Sequence, residues 1–159
     1  MNIFVTSICP ARSARQLDDR RVIKMVLETT QLLCGALNIH ANKQVAPYKT
    51  THKNHPAAIW ARTSRKNWLW LHEHGLALCK EYTARYSKVH KCEGILIEIL
   101  AQANLIPDGP VTAFANCAAN NELGINYKHV EPVTKAYQLY LNDRWDNDKR
   151  EPTWYKESR

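Results

Sequence analysis

A chain of 159 residues, 45% of them hydrophobic, is long enough to bury a core without disulfides or metals as staples. Its 22 basic against 15 acidic residues leave a formal charge of +7, which favours an anionic partner such as nucleic acid. Cys9, Cys34, Cys79, Cys92 and Cys117 are odd in number and contain no Cys-x-x-Cys pair, which argues against a disulfide framework and for reduced thiols.

In chain order, Asn2 to Thr6 is the one strand-like run. The apolar stretch Asn2 to Cys9 follows no basic region and is too short for a secretory signal or a membrane span, so a soluble, cytoplasmic protein with no membrane partner is expected. A long helix is predicted from about Gln16 to Leu37, with Val22, Met25, Val26, Thr29, Leu33, Ala36 and Leu37 on its apolar face. Arg21, Lys24, Glu28 and Gln31 fall on the opposite face. A polar loop from Asn38 to His55 ends at Pro56, the first position of a short helix to Arg62. Thr63 or Ser64 caps the next helix, about Ser64 to Ser87, with a core stripe of Trp68, Leu71, Gly75, Leu78, Cys79, Tyr82 and Tyr86. Another helix is predicted from Lys91 to Asn104, stopped by Pro107-Asp108-Gly109-Pro110. Residues 111–130 carry no clear period; Pro132 opens a last helix to about Trp145, and Asp146 to Glu151 releases the tail. One strand alone cannot satisfy its backbone, so the expected fold is mainly α: a single compact helical domain, residues 1–159, with a short N-terminal extended segment and an extended tail from about residue 146.

Two surfaces are candidates for chemistry. Glu28 stands one turn from Lys24 with Arg20 and Arg21 nearby, so its carboxylate stays ionised and can stabilise a developing positive charge while the cations hold phosphates; the same spacing also describes an ordinary solvated ion pair. Trp70, His74, Glu81 and Arg85 form a second face off the core stripe, where Trp70 either packs under another segment or stacks on a base. Arg85-Tyr86-Ser87-Lys88-Val89-His90 has the Arg-x4-His spacing of the HEPN-type ribonucleases, which makes Arg85 and His90 alternative catalytic residues. The histidines do not converge as a catalytic zinc site requires, and no phosphate loop or dinucleotide fingerprint occurs, so neither metal nor cofactor is expected.

The last segment reads Pro152-Thr153-Trp154-Tyr155-Lys156, two aromatics that can stack on bases beside a cation for phosphates. A second segment reads Lys53-Asn54-His55-Pro56, followed by Trp60 and Arg62. In a basic, helical chain of this length these strings resemble the pyrimidine-dimer DNA glycosylases of the endonuclease V type. The resemblance implies a glycosylase with a lyase step on double-stranded DNA carrying a dimer or another damaged or modified base. An N-terminal α-amine attacks the sugar C1′ and a helix-borne glutamate assists. The α-amine of Met1 and Glu28 are then the catalytic candidates, because Asn2 disfavours methionine removal and Glu28 is the nearest well-placed glutamate. The family's Arg-Glu pair has no direct counterpart, since Arg20-Arg21-Val22-Ile23 occupies that stretch. Arg20, Arg21, Lys24, Lys53, His55, Arg62, Trp154, Tyr155 and Lys156 are the expected nucleic-acid contacts, with His55 either positioning substrate or capping the helix at Pro56. A non-catalytic DNA-binding protein on the same scaffold is the remaining alternative.

Overall fold

The two longest helices, and the short helix between them, each begin where a side chain accepts from an amide of the first turn. The computed structural model, which describes residues 1–154, places α1 at Pro10–Arg15, α2 at Asp19–Ala41, α3 at Pro56–Thr63, α4 at Arg65–Tyr86, α5 at Cys92–Ile99 and α6 at Val133–Asn147. Asp18 accepts from the Arg21 amide to start α2, His55 from Ala57 to start α3, and Ser64 from Asn67 to start α4. Asn42 and Ser87, at φ of 54° each, end α2 and α4 in the left-handed conformation. The mainly helical fold expected from the sequence is observed, with one small hairpin, β1 at Ala119–Asn120 and β2 at Ile125–Asn126, inside the stretch that had no clear period.

The core forms where α2 crosses α4. Gly75 permits the approach: a Cβ there would meet Thr29 Cγ2 at 3.1 Å and Leu96 Cδ1 at 3.3 Å. Trp68, fully buried, donates its indole N–H to the Leu33 carbonyl at 3.1 Å. α2 is long and apolar enough to cross a bilayer, and 67% of that apolar window is buried inside the fold.

Three expectations need correction. The run Asn2–Thr6 is not a strand; Ile3 to Thr6 are buried, and Ser13 Oγ accepts from the amides of Thr6 and Ser7 while Gln138 donates to the Thr6 carbonyl, so side chains do the work of a sheet partner. The helix expected over 91–104 is α only to Ile99 and continues as a 3-10 helix, Leu100–Leu105, in which no residue is fully buried. The supposed second face of α4 is not exposed: Trp70, His74 and Arg85 are all buried, because α1, a helix the sequence pattern does not announce, lies against it. Trp70 donates to the Ile8 carbonyl at 2.9 Å and packs edge-on to Phe114 and Trp60.

His74 shares that interface, its Nδ1 3.0 Å from the Pro10 carbonyl and its ring stacked on Trp70. Burial pushes its pKa down to about 4 from 6.5, against the smaller opposing pull of the Pro10 carbonyl. As pH falls below about 6.5 the unfolded chain takes up a proton that the folded ring refuses, so stability is lost from there towards pH 4, by about 3 kcal/mol in all. Urea midpoints measured at successive pH values should show this slope between about pH 6.5 and 5, and His74→Phe should flatten it. An unchanged slope in the variant would remove His74 as its cause.

Candidate DNA glycosylase site

The N-terminal residue is fixed before it can act. Asn2 Oδ1 accepts from the Ile3 amide at 2.9 Å and from Tyr137 Oη at 2.6 Å, Asn2 Nδ2 donates to the Cys117 carbonyl at 3.4 Å, and Tyr137 Oη accepts from the Cys117 amide at 3.0 Å. Phe4 stacks on Tyr140 behind it. This clamp leaves the Met1 ammonium 3.5 Å from Glu28 Oε1, with both side chains largely buried. Glu28 Oε2 is buried without a hydrogen-bond donor among the described residues, and Lys24 Nζ stands 3.7 Å from it.

Met1 and Glu28 lie in a groove of about 520 Å³. Arg20, Arg21, Lys24 and Met25 of α2 form one wall, Tyr140, Arg144 and Asp148 at the end of α6 form the other, and His55, Cys117 and Ala119 close one side. Arg20 and Lys24 are exposed. Arg21 is engaged instead: Nη1 donates to Asp18 Oδ1 at 3.0 Å and to Asp148 Oδ2 at 2.9 Å. Burial works against its charge, but the Asp148 and Asp18 carboxylates outweigh that and raise its pKa. Arg144 donates to Tyr140 Oη at 2.9 Å and lies 4.0 Å from Asp148 Oδ1.

The other candidates divide. His55 caps α3, one of the two roles considered for it, and also lines the groove. Lys53 and Arg62 border a small separate hollow beside Gln31 and Gly35, one to two turns beyond Glu28 on α2. The charged stretch after α6 does not release the tail: Asp148 holds Arg21, Thr153 Oγ1 donates to Asp19 Oδ2 at 2.7 Å, and the Asp19 amide donates to the Thr153 carbonyl at 2.8 Å. Trp154 donates to the Gln16 carbonyl at 3.1 Å and meets Trp145 edge-on, lining a different cleft with Thr6, Gln138 and Asn142. Tyr155 and Lys156 lie outside the described residues. Arg85 is buried in contacts to Asp19, Glu81 and the carbonyls of Leu17 and Arg15, while His90 is buried, accepts from the Cys92 amide and packs edge-on against Tyr82.

Residues 1–94, more than half of the chain, match the family model for pyrimidine dimer DNA glycosylase. The chain belongs to this family. A pyrimidine dimer DNA glycosylase-type function, and with it the binding of DNA, follows at the level of the family. Comparison with the curated proteins and with solved structures found no match. In this member of the family the matched region supplies Met1, Arg20, Lys24, Glu28 and His55, whereas Cys117, Tyr140, Arg144 and Asp148 lie beyond it. Sequence reasoning missed that far wall. The available signal was the i, i+4 pair Tyr140 and Arg144, which puts an aromatic and a cation on one face of the last helix, with the carboxylate of Asp148 just past its end.

Proposed function

We propose that this protein excises a damaged pyrimidine, a dimer first of all, from duplex DNA through an imine formed by the Met1 α-amine, with Glu28 as the assisting carboxylate. The observation that carries the reading is the approach of that amine to Glu28 Oε1, 3.5 Å, inside a groove edged by exposed cations. Arg20 and Lys24 hold phosphates, and the kinked or flipped nucleotide brings C1′ to the amine. The lone pair of the neutral amine forms the bond to C1′ as the bond from C1′ to N1 of the base breaks and its electrons leave on the pyrimidine. Glu28 takes a proton from the new ammonium and passes it to the departing base; the C1′–O4′ bond then breaks as the remaining N–H proton passes to O4′, which leaves the imine and an open sugar. Glu28 Oε2, buried and without a donor, is available to the positive charge that develops at the sugar. Loss of a C2′ proton from the imine expels the 3′ phosphate, which is the lyase step.

Ultraviolet-irradiated duplex incubated with the protein and borohydride tests this. The expected result is strand cleavage without borohydride and a covalent adduct with it, mapping to the N-terminal peptide. Neither cleavage nor adduct, or an adduct on a lysine, overturns the assignment.

A further inference from the structure

Arg21 and Arg144 line the groove from its two walls and are held in opposite ways. Arg21 spends its donors on carboxylates: Nη1 bonds Asp18 and Asp148, and Nη2 bonds Asp148 again at 3.4 Å. Arg144 makes one side-chain hydrogen bond among the described residues, from Nη1 to Tyr140 Oη at 2.9 Å. Its Nη2 stands 4.0 Å from Asp148 Oδ1, beyond hydrogen-bond reach, and its Nε is buried without an acceptor among the described residues. Only 27% of the side chain is exposed, so water makes up little of what the protein leaves unpaired. The far wall thus carries a partly desolvated guanidinium with no carboxylate in hydrogen-bond contact.

The position of that guanidinium is fixed. Its carbon Cζ lies 5.8 Å from the centre of the Tyr140 ring, and the buried Tyr140 stacks on Phe4 with centroids 6.0 Å apart. Phe4 belongs to the same N-terminal segment as Met1, so the stack sets Arg144 against the amine. The other cations of the groove differ. Arg20 and Lys24 are exposed, and Arg21 is spent on Asp18 and Asp148. A donor held where water is partly excluded acts more strongly on developing charge than a solvated one does.

We propose that Arg144 holds the phosphate on the 3′ side of the damaged nucleotide and stabilises it as the leaving group of the lyase step, with Tyr140 as its positioning residue. This rests on the imine reading of the site and deepens it. C3′ is joined to C1′ through C2′ alone, so a sugar bonded to the Met1 amine carries its 3′ phosphate in the same groove. Glu28, a carboxylate again once it has passed its proton to the base, takes the C2′ proton. The C2′–H electron pair becomes the second bond between C2′ and C3′, and the C3′–O3′ pair leaves on the phosphate. A phosphate diester becomes a monoester and gains negative charge, so a guanidinium bonded to it binds more tightly in the transition state than in the imine. Breaking the glycosidic bond puts no new charge on this phosphate. Arg144 therefore acts on the second step and not the first.

The test separates the two steps. Arg144→Gln, Arg144→Lys and Tyr140→Phe are compared with the unsubstituted protein in single turnovers at saturating protein. Strand cleavage and borohydride trapping are measured on a duplex with a preformed abasic site, and glycosidic-bond cleavage on irradiated duplex, counted as breaks after alkali. Arg144→Gln is expected to lose about 100-fold in strand cleavage, the scale for one oxyanion donor, while trapping and glycosidic-bond cleavage stay within about threefold. Arg144→Lys regains part of the loss, since it restores the charge without the fork. Tyr140→Phe keeps the ring, removes the acceptor and shows the same split to a smaller degree. A merely structural role would move all the readouts together. Unchanged strand cleavage in Arg144→Gln, or comparable losses in every readout, overturns the assignment. If the unsubstituted protein cleaves the abasic duplex but is never trapped, the imine reading fails by itself, and strand cleavage measured against glycosidic-bond cleavage still decides the role of Arg144.

Discussion

Glu28→Gln is expected to lower glycosidic-bond cleavage and covalent trapping by at least about 100-fold while duplex affinity stays within a few-fold, the usual range for removing a positioned acid–base group. The substitution preserves shape and removes only the charge. Three features of the site make that charge matter. The Met1 ammonium lies 3.5 Å from Oε1, so the carboxylate is the nearest base for the proton that the amine must lose after attack. Oε2 is buried with no hydrogen-bond donor among the described residues, so no hydrogen bond offsets its charge. Lys24, 76% exposed at its side chain, is too well solvated to neutralise the pair by itself. Single-turnover kinetics with irradiated duplex, beside a binding titration at fixed salt, measure both quantities. If the variant cleaves irradiated duplex at the rate of the unsubstituted protein, the carboxylate takes no part in the reaction.

Arg85→Ala is expected to cost about 3–5 kcal/mol of stability, the range for removing one partner of a buried ion pair. Its side chain is 1% exposed, and it joins three elements: Nη1 donates to the Leu17 carbonyl at 2.6 Å and to Asp19 Oδ1 at 3.1 Å, while Nη2 donates to the Arg15 carbonyl at 3.1 Å and to Glu81 Oε1 at 3.0 Å. Alanine leaves two backbone carbonyls without this donor at the turn that joins α1 to α2, and leaves Glu81 without its guanidinium. The unfolding temperature should fall by on the order of 10 °C. A drop below about 1 kcal/mol would mean that water replaces these bonds without loss, contrary to the burial. The same geometry bears on the ribonuclease reading, since the guanidinium that would serve a phosphate is occupied by two carboxylates and two carbonyls.

The sequence made the long helices legible because their signal is local. The apolar stripes of α2 and α4 repeat at the helical period, and Ser64 and Pro56 mark starts by chemistry confined to a single turn. α1 escaped because six residues opened by Pro10 and rich in arginine carry no such period; only Ser13 and Ala14 are buried in it. That one omission made the buried Trp70, His74 and Arg85 look like an outer face. The tail makes contacts that no local pattern encodes: Thr153 and Trp154 bond Asp19 and Gln16, more than a hundred residues away in sequence, and Trp154 packs edge-on against Trp145 of α6.

What the sequence determined by itself was the helical class, the preference for an anionic partner, a family likeness carried by short strings, and a glutamate with cations on one helix face. Apart from the likeness, these follow from composition or from spacings within a few turns. Only the tertiary structure decided that the Met1 amine meets Glu28 and that α6 supplies the far wall of the groove. The physical reason is the range of the interactions. Helix periodicity is set by neighbours three and four residues apart, whereas the site depends on Asn2 bonding Tyr137 and on Arg21 bonding Asp148, pairings that form only once the core has packed.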